Sequence, residues 1–266
     1  MTGWGDLARE CDSWSADGRI ATWWWRDDDA VTATPALDRL LEIARGPIGL
    51  AVIPAGLQPD LMPRLRQSPE AVVLQHGYAH RNHAPEGGRK SEFPDERDQQ
   101  AIDRDLRAGF QKLSAAFGDR FLPVLTPPWN RIGGRAVAIL QSIGFIGLTR
   151  YLPRTAPAIH GVNQVNTHVD VIDWRGRNGP PGGFLGEDAC LDLFIGHLRA
   201  RRLGEADRDE PTGVLSHHLV HDPATWRFLE KLRDFLANQA AARLLDPSAA
   251  FAWDHSQTGK LSGSQE

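Results

Sequence analysis

Short apolar runs of strand length alternate along this chain with segments whose apolar residues recur at helical spacing. That alternation restricts the fold to an α/β class built on a parallel sheet. The predicted strands cover residues 21–25, 48–54, 71–75, 121–126, 145–149, 166–174 and 213–217. Between them lie helical stripes, among them Leu37, Leu40, Leu41 and Ala44, then Ile102, Leu106, Phe110, Leu113 and Phe117. Leu191, Phe194, Ile195 and Leu198 mark a third stripe, and Trp226, Leu229, Leu232, Phe235 and Leu236 a closing one. Thr34 and Pro35 suit a helix start and Gly118 a helix end. An open doubly wound sheet fits the same alternation, but no glycine-rich phosphate loop follows the first strand. With no internal repeat or linker, the chain predicts one domain over residues 1–252 and a polar tail over 253–266.

Charge excludes some partners. Thirty Lys and Arg against 34 Asp and Glu leave a net charge of −4, which gives no basic surface for nucleic acid or an anionic membrane. No run approaches the ~18 consecutive apolar residues of a membrane helix. The first residues do not read as a secretory signal, and Cys11 and Cys190 are too few for a disulfide framework. The expected compartment is the cytoplasm.

The chemistry-bearing residues collect at strand ends. Asp27, Asp28 and Asp29 follow the first strand, His76 and His80 the third, and Trp129, Asn130 and Arg131 the fourth. Asp170 and Asp173 lie at the end of the sixth, and His217, His218, His221 and Asp222 follow the seventh. In a closed parallel barrel all of these reach the C-terminal rim, where such folds keep their active sites. His76 and His80, at i and i+4, are expected on one helical turn. Two His with one Asp form a facial set that leaves positions open on a divalent ion. The long loop over residues 82–98 offers His83, Lys90 and Glu92 to a substrate. Trp23 to Trp25, inside a strand, are expected in the core.

These residues together resemble the polysaccharide deacetylases, the NodB-like esterases of carbohydrate esterase family four, over roughly residues 23–222. The first family motif, an apolar strand ending in a base Asp, a metal Asp and a small residue, matches Asp28-Asp29-Ala30. Shifted by one it matches Asp27-Asp28, and both registers stay open. The second motif matches His76 and His80, with Gly77 in place of the usual hydroxyl residue. The third matches Thr126-Pro127-Pro128-Trp129, with Thr126 where the family has Arg, and Arg26 or Arg131 is expected to orient the base instead. The fourth and fifth are intact as Asp170-Val171-Ile172-Asp173-Trp174 and Leu215-Ser216-His217.

The resemblance implies a distorted (β/α)7 barrel that removes an acetyl group, N- or O-linked, from a carbohydrate. It implies a divalent metal on Asp29, His76 and His80, Zn²⁺ first, with Co²⁺ or Ni²⁺ as alternatives. Asp28 (Asp27 in the shifted register) would be the base, His217 the acid and Asp170 its orienting partner. Trp129, Arg131, Trp174 and Leu215 would contact substrate, Trp129 through its backbone N–H, and Leu215 and Trp174 as walls of an acyl pocket. Two other readings remain: an amidohydrolase acting on a cytoplasmic small molecule, and a degenerate deacetylase that only binds carbohydrate.

Overall fold

The computed structural model describes residues 2–176 and 180–251; the predicted tail over 253–266 lies outside them. The chain opens with α1 (Trp4–Ala16), a helix that the strand–helix alternation did not demand. Its Leu7, Cys11 and Trp14 are buried at helical spacing. Then come β1 (Ala21–Ala30), α2 (Pro35–Ala44), β2 (Ile48–Val52), α3 (Leu61–Arg66) and β3 (Ala71–His76). Beyond a long loop lie α4 (Gln99–Phe117), β4 (Phe121–Thr126), the short α5 (Gly134–Val137) and α6 (Leu140–Ile143), and β5 (Gly147–Leu148). Short strands follow: β6 (Ala158–Ile159), β7 (Val162–Gln164), β8 (Val169–Asp170), β9 (Ile172–Asp173) and β10 (Gly183–Phe184). The order ends with α7 (Glu187–Leu203), β11 (Thr212–Ser216), α8 (Pro223–Ala237), β12 (Ala242–Leu244) and α9 (Pro247–Ala250).

The main sheet runs β6-β7-β5-β4-β3-β2-β1-β11-β8, with β12 against the start of β1. Its pairings are parallel except for β6 on β7. Its two edges meet through the stretch 162–171. The Asn163, Val165 and Thr167 N–H groups donate to Ile146, Leu148 and Arg150, while His168 and Val171 donate to Gly213 and Leu215. One extended segment therefore bonds β5 at its start and β11 at its end, which makes the distorted (β/α)7 barrel. The predicted strand over 166–174 is broken within this segment. Asp170 Oδ1 accepts the Ile172 N–H at 3.1 Å, a local bond that competes with the ladder, and β9 turns away to pair antiparallel with β10.

β1 is longer than expected and carries the aspartates inside the strand. It lies between β2 and β11, so its backbone is bonded on both sides and its side chains are covered on both faces. Trp23 and Trp25 pack in the outer core with the helices, and Trp24 fills the barrel interior with Ala51, Leu74, Val124 and Phe251.

Candidate active site

The site begins with an irregularity in β1. Asp27 pairs with Leu50 but Ala30 with Val52, so β1 spends one more residue than β2 over this stretch. Such a bulge bends the strand and redirects its side chains, and Asp29 takes a left-handed φ of 75° there. Asp28 and Asp29 consequently both line the cleft. Asp27 does not. It is buried on the outer side of β1, accepting from Ser216 Oγ at 2.6 Å and the His218 N–H at 3.0 Å, with His218 Nδ1 2.5 Å away. Burial alone would raise its pKa, but His218 outweighs that and holds the carboxyl below the usual range. The register with Asp27 as base is therefore corrected, because its carboxylate is already occupied.

Asp29, His76 and His80 bring three donor atoms within 4.8 Å of one another. His76 Nε2 lies 3.2 Å and His80 Nε2 3.5 Å from Asp29 Oδ1. His76 Nδ1 donates to the Thr126 carbonyl at 2.9 Å, since a carbonyl only accepts; this bond fixes the ring with its Nε2 toward Asp29. Asp29 Oδ1 is buried and makes no hydrogen bond. A carboxylate oxygen and two imidazole nitrogens converging at this range are an arrangement a divalent cation satisfies. Burial works against the ionised Asp29, yet the surrounding His76, His217 and His80 hold its carboxyl well below the usual carboxylate range. Burial, helped by His76, pushes the His80 pKa down, which favours the neutral ligand form. The expected helical turn is absent: His76 ends β3, and His80 sits in the loop beyond it with φ 54°.

Gly77 accounts for that geometry. It has φ +56°, and a Cβ there would fall 1.9 Å from Glu92 Oε2 and 2.7 Å from Pro128. Glu92 is buried, accepting the Tyr78 N–H at 3.0 Å and the Ala79 N–H at 2.7 Å. The carboxylate thus clamps the two peptides between the histidines and fills the space a hydroxyl side chain would need. Glu92 was expected near substrate; its role here is to shape the loop that carries His80.

Asp28 is held by a buried arginine two residues before it. Arg26 Nη2 donates to Asp28 Oδ2 at 3.0 Å, and Nε lies 2.9 Å from Oδ1. The same guanidinium donates to Asn130 Oδ1 at 2.7 Å and Thr149 Oγ1 at 2.9 Å. Of the two arginines expected to hold Asp28, Arg26 on β1 is the one that reaches it. Arg131 does not serve in its place, since its Nη1 donates to the Lys90 carbonyl. His217 Nε2 stands 3.9 Å from Asp28 Oδ2. Asp170 makes its side-chain bonds elsewhere, to the Ile172 N–H and to Trp174 Nε1 at 2.9 Å. The Trp174 indole then meets the His217 ring edge-on, with centroids 4.8 Å apart. Asp170 thus bears on His217 through Trp174, and burial raises its pKa. The His217 backbone N–H donates to His221 Nε2 at 3.1 Å, and burial lowers His221 to about 4, as befits an acceptor. Leu215 is fully buried; its pairing with Arg26 across β1 and β11 points it into the barrel beneath the cleft, so it forms no wall of it.

The cleft has a volume of about 950 Å³ and is lined by Asp28, Asp29, His76, His80, Trp129 and His217 among others. Of the seven non-glycine residues with positive φ among those described, Asp29, His80, Trp129, Asn130 and Leu152 all line it. Backbone strain of this kind concentrates at functional sites. A second cluster, His168, His197 and Glu210, also gathers three donor atoms. Its rings are stacked, 15° apart in plane with centroids at 3.4 Å, and His168 Nδ1 accepts the Gly213 N–H. His168 Nε2 therefore carries the ring proton, and parallel rings do not converge on one ion.

No family profile and no curated protein matches this chain in sequence. Solved structures do match in fold. A polysaccharide deacetylase candidate from Mycobacterium smegmatis is similar at 16% identity and TM-score 0.58, over 94% of this chain and 94% of that one. A family 4 acetyl xylan esterase from Clostridium thermocellum, in complex with a cobalt ion, is similar at 12% identity and TM-score 0.53, over 87% and 90%. The chitin deacetylase of Colletotrichum lindemuthianum is similar at 16% identity and TM-score 0.51, over 89% of each chain.

Proposed function

We propose that this chain is a metal-dependent hydrolase that removes an acetyl group from a carbohydrate. The carrying observation is the convergence of Asp29 Oδ1, His76 Nε2 and His80 Nε2 beside an Asp28 anchored by Arg26, with His217 across from it. The structural neighbours, which include an acetyl xylan esterase and a chitin deacetylase, support the same reading.

Asp29, His76 and His80 would hold one divalent ion, Zn²⁺ by the donor set, and the ion would supply Lewis acidity toward the acyl carbonyl and the attacking water. Asp28 accepts the proton of that water, and the Arg26 fork keeps its carboxylate aimed. The Trp129 backbone N–H donates to the developing oxyanion; losing one such donor typically costs ~10²–10³ in turnover. His217 protonates the leaving amine or alcohol, with Trp174 holding the imidazole in place. Trp129 and Trp174 offer aromatic faces to the sugar. We place this activity in the cytoplasm, which the buried free thiols of Cys11 and Cys190 support.

Metal analysis of the purified protein beside His80→Ala, with acetate release from acetylated sugars, tests this reading. About one ion per chain, lost in the variant, together with acetate release abolished by Asp28→Asn at unchanged metal content, is the expected result. A protein that takes up no Zn²⁺, Co²⁺ or Ni²⁺ overturns it. So does an Asp28→Asn protein that retains full turnover.

A further inference from the structure

The mouth of the cleft carries a feature that acetyl removal does not require. Arg89, Arg131 and Arg175 all line it, and among the described residues none has a carboxylate within ion-pair distance. They come from different parts of the chain: Arg89 from the long loop after β3, Arg131 from the segment after β4, and Arg175 from the turn after β9. Lys90 adds a fourth cation, its Nζ 5.9 Å from the Trp129 ring.

This edge is built rather than incidental. The loop is pinned by buried Ser91, Glu92 and Phe93. Ser91 Oγ donates to the Arg131 carbonyl at 3.2 Å, Arg131 Nη1 to the Lys90 carbonyl at 3.1 Å, and Phe93 bridges Ile132. Arg131 Nε is buried without a partner. Burial, with Arg89 and Arg175 close by, lowers the Arg131 pKa. Three guanidinium groups gathered in a chain of net charge −4 repel one another until an anion joins them.

Resting on the hydrolase reading above, we infer that the sugar carries a phosphoryl group, which the Arg89–Arg131–Arg175 edge binds while its acyl group reaches Asp28 and His217. Guanidinium forks match phosphate oxygens in geometry and charge. A neutral polysaccharide gives these cations no counter-charge. Sugar monophosphates and nucleotide diphosphate sugars share the required chemistry, and the two arms of the test separate them.

Binding is measured on metal-free protein, so that phosphate does not report on the ion. Calorimetry compares N-acetylglucosamine with its 1-phosphate and with UDP-N-acetylglucosamine. The phosphorylated ligands are expected to bind at least about tenfold more tightly than the neutral sugar. That advantage shrinks at about 0.5 M salt, in Arg131→Gln/Arg175→Gln, and in the single Arg175→Gln, whose exposed site leaves the fold intact. The stronger binder of the two identifies the source of the phosphoryl group. Equal affinity for neutral and phosphorylated sugars overturns the inference. An advantage indifferent to salt and to both variants overturns it too, as does a glucuronate oligosaccharide that binds as well as the phosphates. Acetate release by the metal-loaded protein separates the two claims. Release from neutral chito-oligosaccharides without phosphate preference sinks this inference alone. Phosphate-selective binding without any release sinks the hydrolase reading alone.

Discussion

At the scale of single residues, the site departs at two positions from the deacetylase pattern it resembles, and each departure has a physical counterpart nearby. Gly77 stands where a hydroxyl residue is usual, and Glu92 occupies the space that residue would fill. A Gly77→Ser side chain would collide with that carboxylate and sit in a left-handed conformation as well. Loss of such support behind a metal ligand typically weakens metal affinity by ~10–100-fold. Titration of Co²⁺ into Gly77→Ser and Glu92→Gln, with circular dichroism to confirm folding, is expected to show a loss of that size in both. Thr126 stands where an arginine is usual in that pattern, and Arg26 reaches Asp28 from β1, three strands away in the sheet order. Arg26→Met leaves Asp28 buried without its counter-charge, and breaking a buried pair in this way typically costs ~3–5 kcal/mol. The variant is expected to unfold at markedly lower urea with turnover lost, while Arg26→Lys restores more stability than activity, because an ammonium lacks the fork.

At the scale of elements, β1 organises the molecule. Its tryptophans are covered on both faces, its bulge turns two adjacent aspartates into the cleft, and its outer Asp27 ties it to His218 beyond β11. The barrel floor depends on a late element: Phe251, just past α9, meets Trp24 edge-on with centroids 5.7 Å apart. Gly147 in β5 permits this, since a Cβ there would lie 2.5 Å from the Phe251 ring. Removing a buried aromatic side chain typically costs ~3–5 kcal/mol, so Phe251→Ala should lower the urea midpoint by a corresponding amount. Gly147→Ala should be destabilising through overpacking, although alanine suits a strand better than glycine. If both variants unfold at the wild-type midpoint, Phe251 is not a structural plug.

At the scale of the whole molecule, the end of the barrel opposite the cleft holds a buried polar knot. His197 Nδ1 lies 2.9 Å from Thr212 Oγ1, and its ring stacks on His168. Arg201, Arg154 and Glu210 surround the pair. Burial, with His168 and Arg201 beside it, pushes His197 down to about 2; burial also lowers His168. Both are neutral when folded but titrate near pH 6.5 when unfolded. Their contribution is therefore complete above pH ~6.5 and is lost as pH falls below it, by up to ~1.4 kcal/mol per pH unit for each group. Urea unfolding between pH 7 and 4.5 should show His197→Asn losing less stability than the wild type; parallel profiles would refute this. Among the described residues, no helix is long and apolar enough to cross a membrane.

What the sequence determined by itself was the order of elements and the side of the barrel on which the chemistry gathers. Both follow from local patterning: apolar runs, helical stripes, and polar residues placed just past strand ends. The helix α1 was not predicted, although Leu7, Cys11 and Trp14 carry its spacing. The tertiary structure alone decided which aspartate faces the cleft, because a bulge in β1 is set by its pairing with β2 and by no residue within it. It also decided that Arg26 serves Asp28 and that Glu92 shapes the loop before His80. In each case the partners meet through pairing and packing that sequence spacing does not encode. An i, i+4 pair implies a shared helical face only if the backbone is helical, and Gly77 beside Glu92 makes it something else.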